Sequence, residues 1–502
     1  MHRVALAIAV LTLAGCASIA PQPLTAQDLA PTTQRDAATT QRGVDPIQGP
    51  LTLDSALARA LKYNLDRRTR MMEEALALNQ LDVAKLDLLP KVLAQAGYSW
   101  RSNDRISQSR NADNGALSPS NFISQERSHL TSGVDMSWSL LDLSLGHYGA
   151  QQQADRLLIA AERRRKAMHL LMQDVRTAYW RAAAAQKLRA EVSQTIAMAE
   201  DALQDARRSE AERVRNPLDA LRYQRQLLEN LRLLEAIGQE LSSAQIELSN
   251  LINAPLGPVI TLADTDAKNI EETALNLPLS ALEEAVLANN ADLRETHYNA
   301  RLARLETRRT MARMFPNLSL NLGARYDSDN YLVNRDWQEA GLQLSFNLLN
   351  LLTAPTQIKL AEAGVALADQ RRMAMQLGVL TQMHLARLSL MNARAQFERA
   401  DAIYAVDLNI AEMVRNRAAA QTQSKLESVS NSTAAILSLL RRYQALAQVH
   451  AAESKLIASL GLEPQVGSVG ELSLAQLSEQ LRSAGSPWAL LKSTTPASQR
   501  QP

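Results

Sequence analysis

Four short stretches of the chain alternate apolar and polar residues with a period of two, which is the pattern of a strand with one apolar face. The clearest is NLSLNLGARY at residues 317–326, and the others are predicted at about 91–100, 131–141 and 339–348. Each has roughly the 9–11 residues that cross a bilayer at a tilt of about 45°. The side chains predicted to face lipid or its boundary are Tyr98, Trp100, Val134, Met136, Trp138, Leu318, Leu320, Leu322, Tyr326, Leu342, Leu344 and Phe346.

Most of the remaining sequence predicts long helices, at about 147–213, 217–252, 354–417 and 424–460. Neither Gly nor Pro occurs from Ala150 to Asn216, and the apolar residues there recur close to the 3.5-residue period of a coiled coil. Such narrow seams leave little helical surface to cover a sheet, so we predict that the apolar face of the strands meets lipid. The alternative is that these strands and their aromatic residues pack in an ordinary soluble core.

An internal duplication organises these elements. LTLDSALARALKYNLD from Leu51 matches LPLSALEEAVLANNAD from Leu277 at an offset of 226, and GVDMSWSLLDL from Gly133 matches GLQLSFNLLNL from Gly341 at an offset of 208. The loop between the two blocks is therefore 18 residues shorter in the second copy (226 minus 208). We predict a first repeat at 51–255 and a second repeat at 277–464, joined by a linker at 256–276. A C-terminal segment at 465–502 is predicted to end in a disordered tail.

The amino terminus predicts export. MHRVALAIAVLTLAGCAS has a basic residue, an apolar stretch from Val4 to Leu13 and small residues before Cys16, so residues 1–15 are predicted to be a secretory signal. LAGC resembles the lipobox of bacterial lipoproteins, which implies cleavage before Cys16 and its acylation, for example by palmitate; a buried or free thiol is the alternative. Residues 16–50 are rich in Pro, Thr, Gln and Ala without a period, so we predict an acylated flexible tether.

The composition and the short motifs of the chain disfavour several classes of function. The chain has 54 Lys and Arg residues and 52 Asp and Glu residues, a formal net charge of +2. Its overall charge therefore does not favour binding to nucleic acid. The seven histidines form no His-x-x-x-His pair, and no Gly-Lys phosphate loop occurs, so we predict neither an enzyme nor a metal site. No cofactor is expected besides the lipid on Cys16.

The duplicated unit, with its AL..N.D, LP, strand–loop–strand and long-helix succession over about residues 51–464, resembles the TolC family of outer-membrane efflux channels. The resemblance implies a mainly α fold with a small β part. Three protomers would pool four transmembrane strands each into a twelve-stranded barrel, continued by a tunnel of helical hairpins into the periplasm. A C-terminal segment would lie at the equator of that tunnel. Four strands alone cannot enclose a pore, because single-chain barrels start at eight.

The resemblance also implies a role. A member of this family is a passive exit duct in the outer membrane for a tripartite efflux or type I secretion system. Its partners are two further copies of the chain, a periplasmic adaptor, an inner-membrane transporter and membrane lipid. A rival from another class is a lipid-anchored periplasmic coiled-coil spacer without channel activity, which would explain the helices and Cys16 but not the four strands.

A closed tip is expected where the long helices turn back. Asp219 and Glu427 match family positions whose acidic side chains line the constricted tip. The arginines predicted to hold a closed gate with them are Arg213, Arg215, Arg222, Arg415 and Arg417. Asp219 and Glu427 also follow Asn216 and Ser424 at capping-box spacing, so capping of the return helices is the alternative role.

Overall fold

The structure is a computed structural model that describes residues 21–212, 217–263, 275–419, 425–463, 466–467, 469–484 and 488. In chain order its elements are α1 (Ala26–Gln41), α2 (Leu53–Tyr63), α3 (Leu65–Leu86), β1 (Lys91–Trp100), β2 (Ile106–Ser107), β3 (Phe122–Ile123), β4 (Ser128–Ser139), α4 (Leu140–Ala211), α5 (Pro217–Leu251), α6 (Leu279–Asn289), α7 (Ala291–Ala312), β5 (Asn317–Asp327), β6 (Asp336–Ser345), α8 (Leu349–Ala419), α9 (Lys425–Leu460) and α10 (Leu474–Ser483). The described chain is mostly helical with a small β part, so the predicted fold class is confirmed.

The internal duplication is visible in the helix boundaries as well as in the sequence. The helices α2 and α6 differ by 226 at both ends (53 to 279 and 63 to 289), and so do α3 and α7 (65 to 291 and 86 to 312). An asparagine, Asn64 or Asn290, joins the two short helices of each repeat. Its side-chain oxygen caps the second helix by accepting a hydrogen bond from the backbone N–H three residues on, at 2.9 and 3.1 Å.

Each of these asparagines also ties its helix pair to the return helix of the same repeat. Asn64 Nδ2 donates to the carbonyl of Leu251 at 3.1 Å, and Asn290 Nδ2 donates to the carbonyl of Ser459 at 2.9 Å. Both asparagines are buried. One buried amide therefore satisfies a helix start and a helix end at once, because the last carbonyls of a helix have no partner within it.

The return helices also end alike. Asn253 and Gly461, which differ by 208, both adopt left-handed backbone, with φ of 51° and 64°. A Cβ on Gly461 would overlap the backbone carbonyl of Asn289 well inside 3.0 Å. Glycine is therefore required at this end of α9 both for its conformation and for its close approach to α6.

The four long strands form one antiparallel sheet in the order β1-β4-β5-β6. Each repeat supplies one hairpin, and the pairing of β4 with β5 joins the two hairpins. The small hairpin of β2 and β3 lies in the longer loop of the first repeat. The extra residues of that loop thus extend a connection and leave the sheet unchanged.

The boundaries of several elements differ from those predicted. The strands β4 and β6 begin at Ser128 and Asp336 rather than at about 131 and 339. Phe346, predicted within a strand, follows the end of β6, and its side chain is only partly exposed. The helix α4 begins at Leu140 rather than at about 147, because Ser139 Oγ caps it by accepting a hydrogen bond from the backbone N–H of Asp142 at 3.0 Å.

The core lies along the seams of the long helices and is largest where α2, α4, α5, α9 and α10 meet. Val175, Tyr179 and Leu188 of α4 are each 0 % exposed. Two histidines are also enclosed there, His169 on α4 and His450 on α9. Burial lowers the pKa of each imidazole to about 4, and the positive charge of nearby Arg176 acts in the same direction. The partly exposed carboxylate of Glu463 opposes the shift at His169.

The predicted flexible tether is corrected in part. Residues 26–41 form the helix α1, in which Thr25 and Asp28 make a capping box: Asp28 N donates to Thr25 Oγ1 at 3.4 Å, and Thr25 N donates to Asp28 Oδ2 at 2.9 Å. No side chain of α1 is buried. Local capping defines the start of the helix, and its last turn is tied to the end of α5, where Asn253 Nδ2 donates to the carbonyl of Thr40 at 3.0 Å. Cys16 and the predicted signal lie outside the described residues.

The chain segments around the repeats pack against the first repeat. Leu51 pairs with the linker, because its N–H donates to the carbonyl of Thr261 at 2.8 Å. Lys62 Nζ of α2 donates to the carbonyl of Leu472, just before α10, at 2.7 Å, and Leu477 of α10 is 0 % exposed. Residues 489–502, which include the predicted tail, lie outside the described residues.

Candidate functional site: the sheet and the tip

The register of the sheet gathers the predicted apolar side chains on one face. Directly opposed residues of antiparallel strands point to the same side, and Val134 opposes both Ala94 and Ala324, while Leu320 opposes both Trp138 and Leu342. We call this the apolar sheet face. Its apolar members are Val92, Ala94, Ala96, Tyr98, Trp100, Leu130, Val134, Met136, Trp138, Leu318, Leu320, Leu322, Ala324, Tyr326, Ala340, Leu342 and Leu344.

Most of the apolar sheet face is exposed. Leu342 is 71 % exposed, Leu344 70 % and Tyr98 69 %, and Trp100, Val134, Trp138 and Tyr326 are also exposed. Met136 is partly buried. A helix packed on this face would bury these side chains, so the structure of the single chain disfavours the soluble-core alternative. A contiguous apolar surface of this kind marks an interaction with lipid or protein.

The opposite face of the sheet, the polar sheet face, carries a row of joined side chains. Gln95 Nε2 donates to Asp135 Oδ2 at 2.6 Å, Arg325 Nη2 lies 3.2 Å from Asp135 Oδ1, and Arg325 Nε donates to Glu339 Oε1 at 2.6 Å. This polar belt spans all four strands. Gly323 gives it room, because a Cβ there would lie 3.0 Å from Asp135 Oδ1. Sequence analysis missed the belt, although the polar half of each alternating pattern contains its members.

Both edges of the sheet are open. Among the described residues, β1 and β6 each pair on one side only. An edge strand presents a row of unpaired backbone N–H and C=O groups that can pair with another strand. In an apolar setting these groups must be satisfied, so the sheet is incomplete as a membrane element without further strands.

The first tip lies at the start of α5. Asp219 is in the first turn of this helix and is exposed, and Arg222 Nη1 lies 3.6 Å from Asp219 Oδ1. An exposed pair at this distance contributes little to stability. Arg213 and Arg215 lie outside the described residues, and so does Asn216, the predicted cap.

The second tip lies between α8 and α9. Glu427 is exposed in the first turn of α9, and Arg415 and Arg417 are exposed near the end of α8. Asn230 of α5 donates from Nδ2 to Ser430 Oγ in the second turn of α9 at 3.2 Å, which links the two return helices. The structure thus places the described tip residues at the ends of the hairpins, on the surface.

The described residues offer neither a metal site nor a membrane-spanning helix. Among them, no group of three His, Cys, Asp or Glu side chains is placed to hold a metal ion. None of the helices in the described ranges combines the length and the apolar character that crossing a membrane requires.

Together, two long helical hairpins and a four-stranded sheet of paired β-hairpins define a TolC-like fold. No family model matches the sequence, and no curated protein matches it. Among solved structures, the fold is similar to the outer-membrane channel OprN, with a TM-score of 0.63 and 15% identity over 82% of this chain and 89% of that chain.

Two further solved channels are also similar. The Campylobacter jejuni CmeC outer membrane channel has a TM-score of 0.63 and 13% identity, over 86% of this chain and 89% of that one. The Neisseria gonorrhoeae MtrE outer membrane channel, in its open state, has a TM-score of 0.58 and 16% identity, over 80% and 88%. At these identities the likeness concerns the fold, and it confirms the resemblance at that level.

Proposed function

We propose that the chain is the outer-membrane channel of a tripartite efflux or type I secretion system. Three copies pool their sheets into a twelve-stranded barrel, and their helical hairpins form a periplasmic tunnel. Through this duct, substrates delivered by an inner-membrane transporter and a periplasmic adaptor leave the cell without further energy input. The fold shared with solved outer-membrane channels supports this function.

The observation that carries the proposal is a sheet with one exposed apolar face, one polar face and two open edges. Lipid suits the first face and a water-filled lumen suits the second. The open edges call for neighbouring copies, because four strands cannot close a barrel alone. A periplasmic coiled-coil spacer does not require such a sheet, so the alternative function as a spacer is disfavoured.

The test is conductance of the purified full-length chain in planar bilayers, with two neighbouring substitutions on β6. Leu344 lies on the apolar sheet face and Gln343 on the polar one. We expect Leu344→Glu to abolish channel insertion, because it places a charge against lipid in every copy, and Gln343→Glu to leave insertion intact. The absence of conductance in the unsubstituted protein would contradict the channel. Equal insertion by the two variants would contradict the assignment of the faces.

Gating at the tip is a separate part of the proposal. A threefold arrangement would bring the like charges of Asp219 and Glu427 together at the axis, with arginines between them, and docking of the partner would shift the population towards an open tip. We expect combined neutralisation of Asp219, Glu427, Arg213, Arg215, Arg222, Arg415 and Arg417 to raise single-channel conductance. If these residues act as caps only, the same variant would melt earlier and conduct as before.

The lipid anchor is proposed from the sequence. Acylation of Cys16 after cleavage would add a second attachment to the outer membrane beside the barrel. Palmitate labelling in cells should mark the chain and should be lost in Cys16→Ala. Labelling that persists in this variant would contradict the assignment.

A further inference from the structure

We infer that β6 of one protomer pairs with β1 of the next in a defined register, with Gln343 opposite Gly97 and Glu339 opposite Arg101. The inference rests on the proposed function, in which neighbouring copies close one barrel. It specifies which residues of the second copy complete the sheet, and it comes from the duplication of the chain.

The pairing of β4 with β5 is the template. β4 is the last strand of the first repeat and β5 is the first strand of the second. In neighbouring copies, β6 and β1 stand in the same relation, as the last strand of one unit and the first strand of the following unit. The observed pair of Asp135 with Gly323 therefore becomes Gln343 (135 plus 208) with Gly97 (323 minus 226).

Four glycines support the transfer of this register. At the internal seam, a Cβ on Gly133 would lie 3.0 Å from a backbone oxygen of β5, and a Cβ on Gly323 would lie 3.0 Å from a carboxylate oxygen of β4. Their counterparts in the other repeat are Gly341 on β6 and Gly97 on β1. A Cβ on Gly341 would meet no atom of the described residues within 4 Å. A neighbouring β1 would bring its backbone close to Gly341, and this close approach would explain why the position is glycine.

The two faces of the sheet agree with the register. It sets Leu342 opposite Tyr98 and Leu344 opposite Ala96, so that the apolar sheet face continues without a break from one copy to the next. A shift by one residue would turn the apolar side chains of one edge towards the polar side chains of the other. Odd shifts are therefore excluded by burial in lipid.

Charge pairing distinguishes the transferred register from registers that are shifted by two residues. Arg101 directly follows β1, is exposed, and makes no ion pair with the described residues of its own chain. The transferred register brings it opposite Glu339 of the neighbour. A shift by two residues would move Glu339 to face Ser99 or Asn103 instead, and would lose this opposite-charge pair.

Paired cysteines in the full-length chain test the register. Opposed Cβ atoms lie about 4.5–5.5 Å apart, whereas diagonal neighbours lie at roughly 7–8 Å, beyond the reach of a disulfide. Leu344→Cys with Ala96→Cys is the matched pair, and Leu344→Cys with Tyr98→Cys is its control, shifted by two residues. Because opposed pairs alternate between closer and wider spacing, Ser345→Cys with Gln95→Cys serves as a second matched pair in the same register.

After mild oxidation, we expect covalently linked trimers from at least one matched pair, about tenfold more than from the shifted control. The bonds can form only between copies, because β1 and β6 lie at opposite edges of one sheet. A shifted control that links as well as both matched pairs would overturn the register, and so would a conducting protein in which neither matched pair links. Failure of the channel proposal would show separately, as absence of conductance in the unsubstituted chain.

Discussion

The end of α9 allows a sharp test of how this helix packs against α6 within the second repeat. Gly461 has a φ of 64°, and a Cβ on it would overlap the carbonyl of Asn289 at the end of α6. Gly461→Ala therefore introduces two faults at once, a left-handed alanine and a collision with backbone. Gly49 provides the matched control, because its φ is 74° but a Cβ there would meet nothing within 4 Å in the part of the chain that the structure describes.

The two faults have different magnitudes. Left-handed backbone costs a non-glycine residue roughly 1–2 kcal/mol. Forcing atoms into packed surroundings adds about 1–3 kcal/mol through the shifts that it requires. We therefore expect Gly461→Ala to lower the free energy of unfolding by about 2–5 kcal/mol, and Gly49→Ala to lower it by about 1–2 kcal/mol.

The assay is thermal unfolding in detergent micelles, followed by circular dichroism at the helix band. Gly461→Ala should lower the midpoint clearly more than Gly49→Ala does. Equal shifts would show that α6 moves aside at no cost, and would refute the close packing of the two helix ends. Because both variants carry the same strain at φ, their difference isolates the collision.

Three further outcomes follow from buried polar groups. Asn64→Ala and Asn290→Ala should each destabilise by about 2 kcal/mol in the same melting assay, since each loses a helix cap and a buried hydrogen bond; unequal effects would contradict the equivalence of the two sites. Burial holds the pKa of His169 and His450 at about 4 instead of 6.5, so the unfolded chain binds protons first as the pH falls. Lowering the pH from 7 to 5 should therefore cost about 2 kcal/mol for each imidazole. The double variant His169→Asn with His450→Asn should flatten this pH dependence, and an unchanged slope would assign the effect to other groups.

The helices of the repeats could be predicted because their signals are local and occur twice. Asn64 and Asn290 mark the same break between two helices, and prolines at 90 and 316 mark the same exit into a strand. A pattern present at a fixed offset is less ambiguous than either copy alone, since chance matches do not recur in register. The apolar face of the sheet could be predicted for the same reason, because its two-residue period is a local signal that recurs in both copies.

Strand and helix ends were harder to predict, because contacts across the chain set them. β4 extends back to Ser128 because Trp100 of β1 opposes it, and it ends at Ser139 because that side chain caps α4. The helix α4 tolerates Gly146 in its early turns, where a Cβ would lie 3.1 Å from the carbonyl of Asp87. Glycine in this position permits close packing against the end of α3, although in sequence it reads as a helix breaker.

Comparison of the two repeats separates what the fold requires from what it leaves open. The asparagine caps and the seam glycines occur in both copies, so they serve the architecture. The charged members of the polar belt do not recur: Asp135, Arg325 and Glu339 correspond to Gln343, Ser99 and Thr131 at the same offsets. A fold that is satisfied by neutral residues in one copy does not need the charges in the other. In the proposed register Arg101 of the neighbouring copy joins the belt opposite Glu339, so two carboxylates meet two guanidinium groups per chain. The belt then carries no net charge on the face proposed to line the lumen, and discrimination among charged cargo is to be sought at the tip.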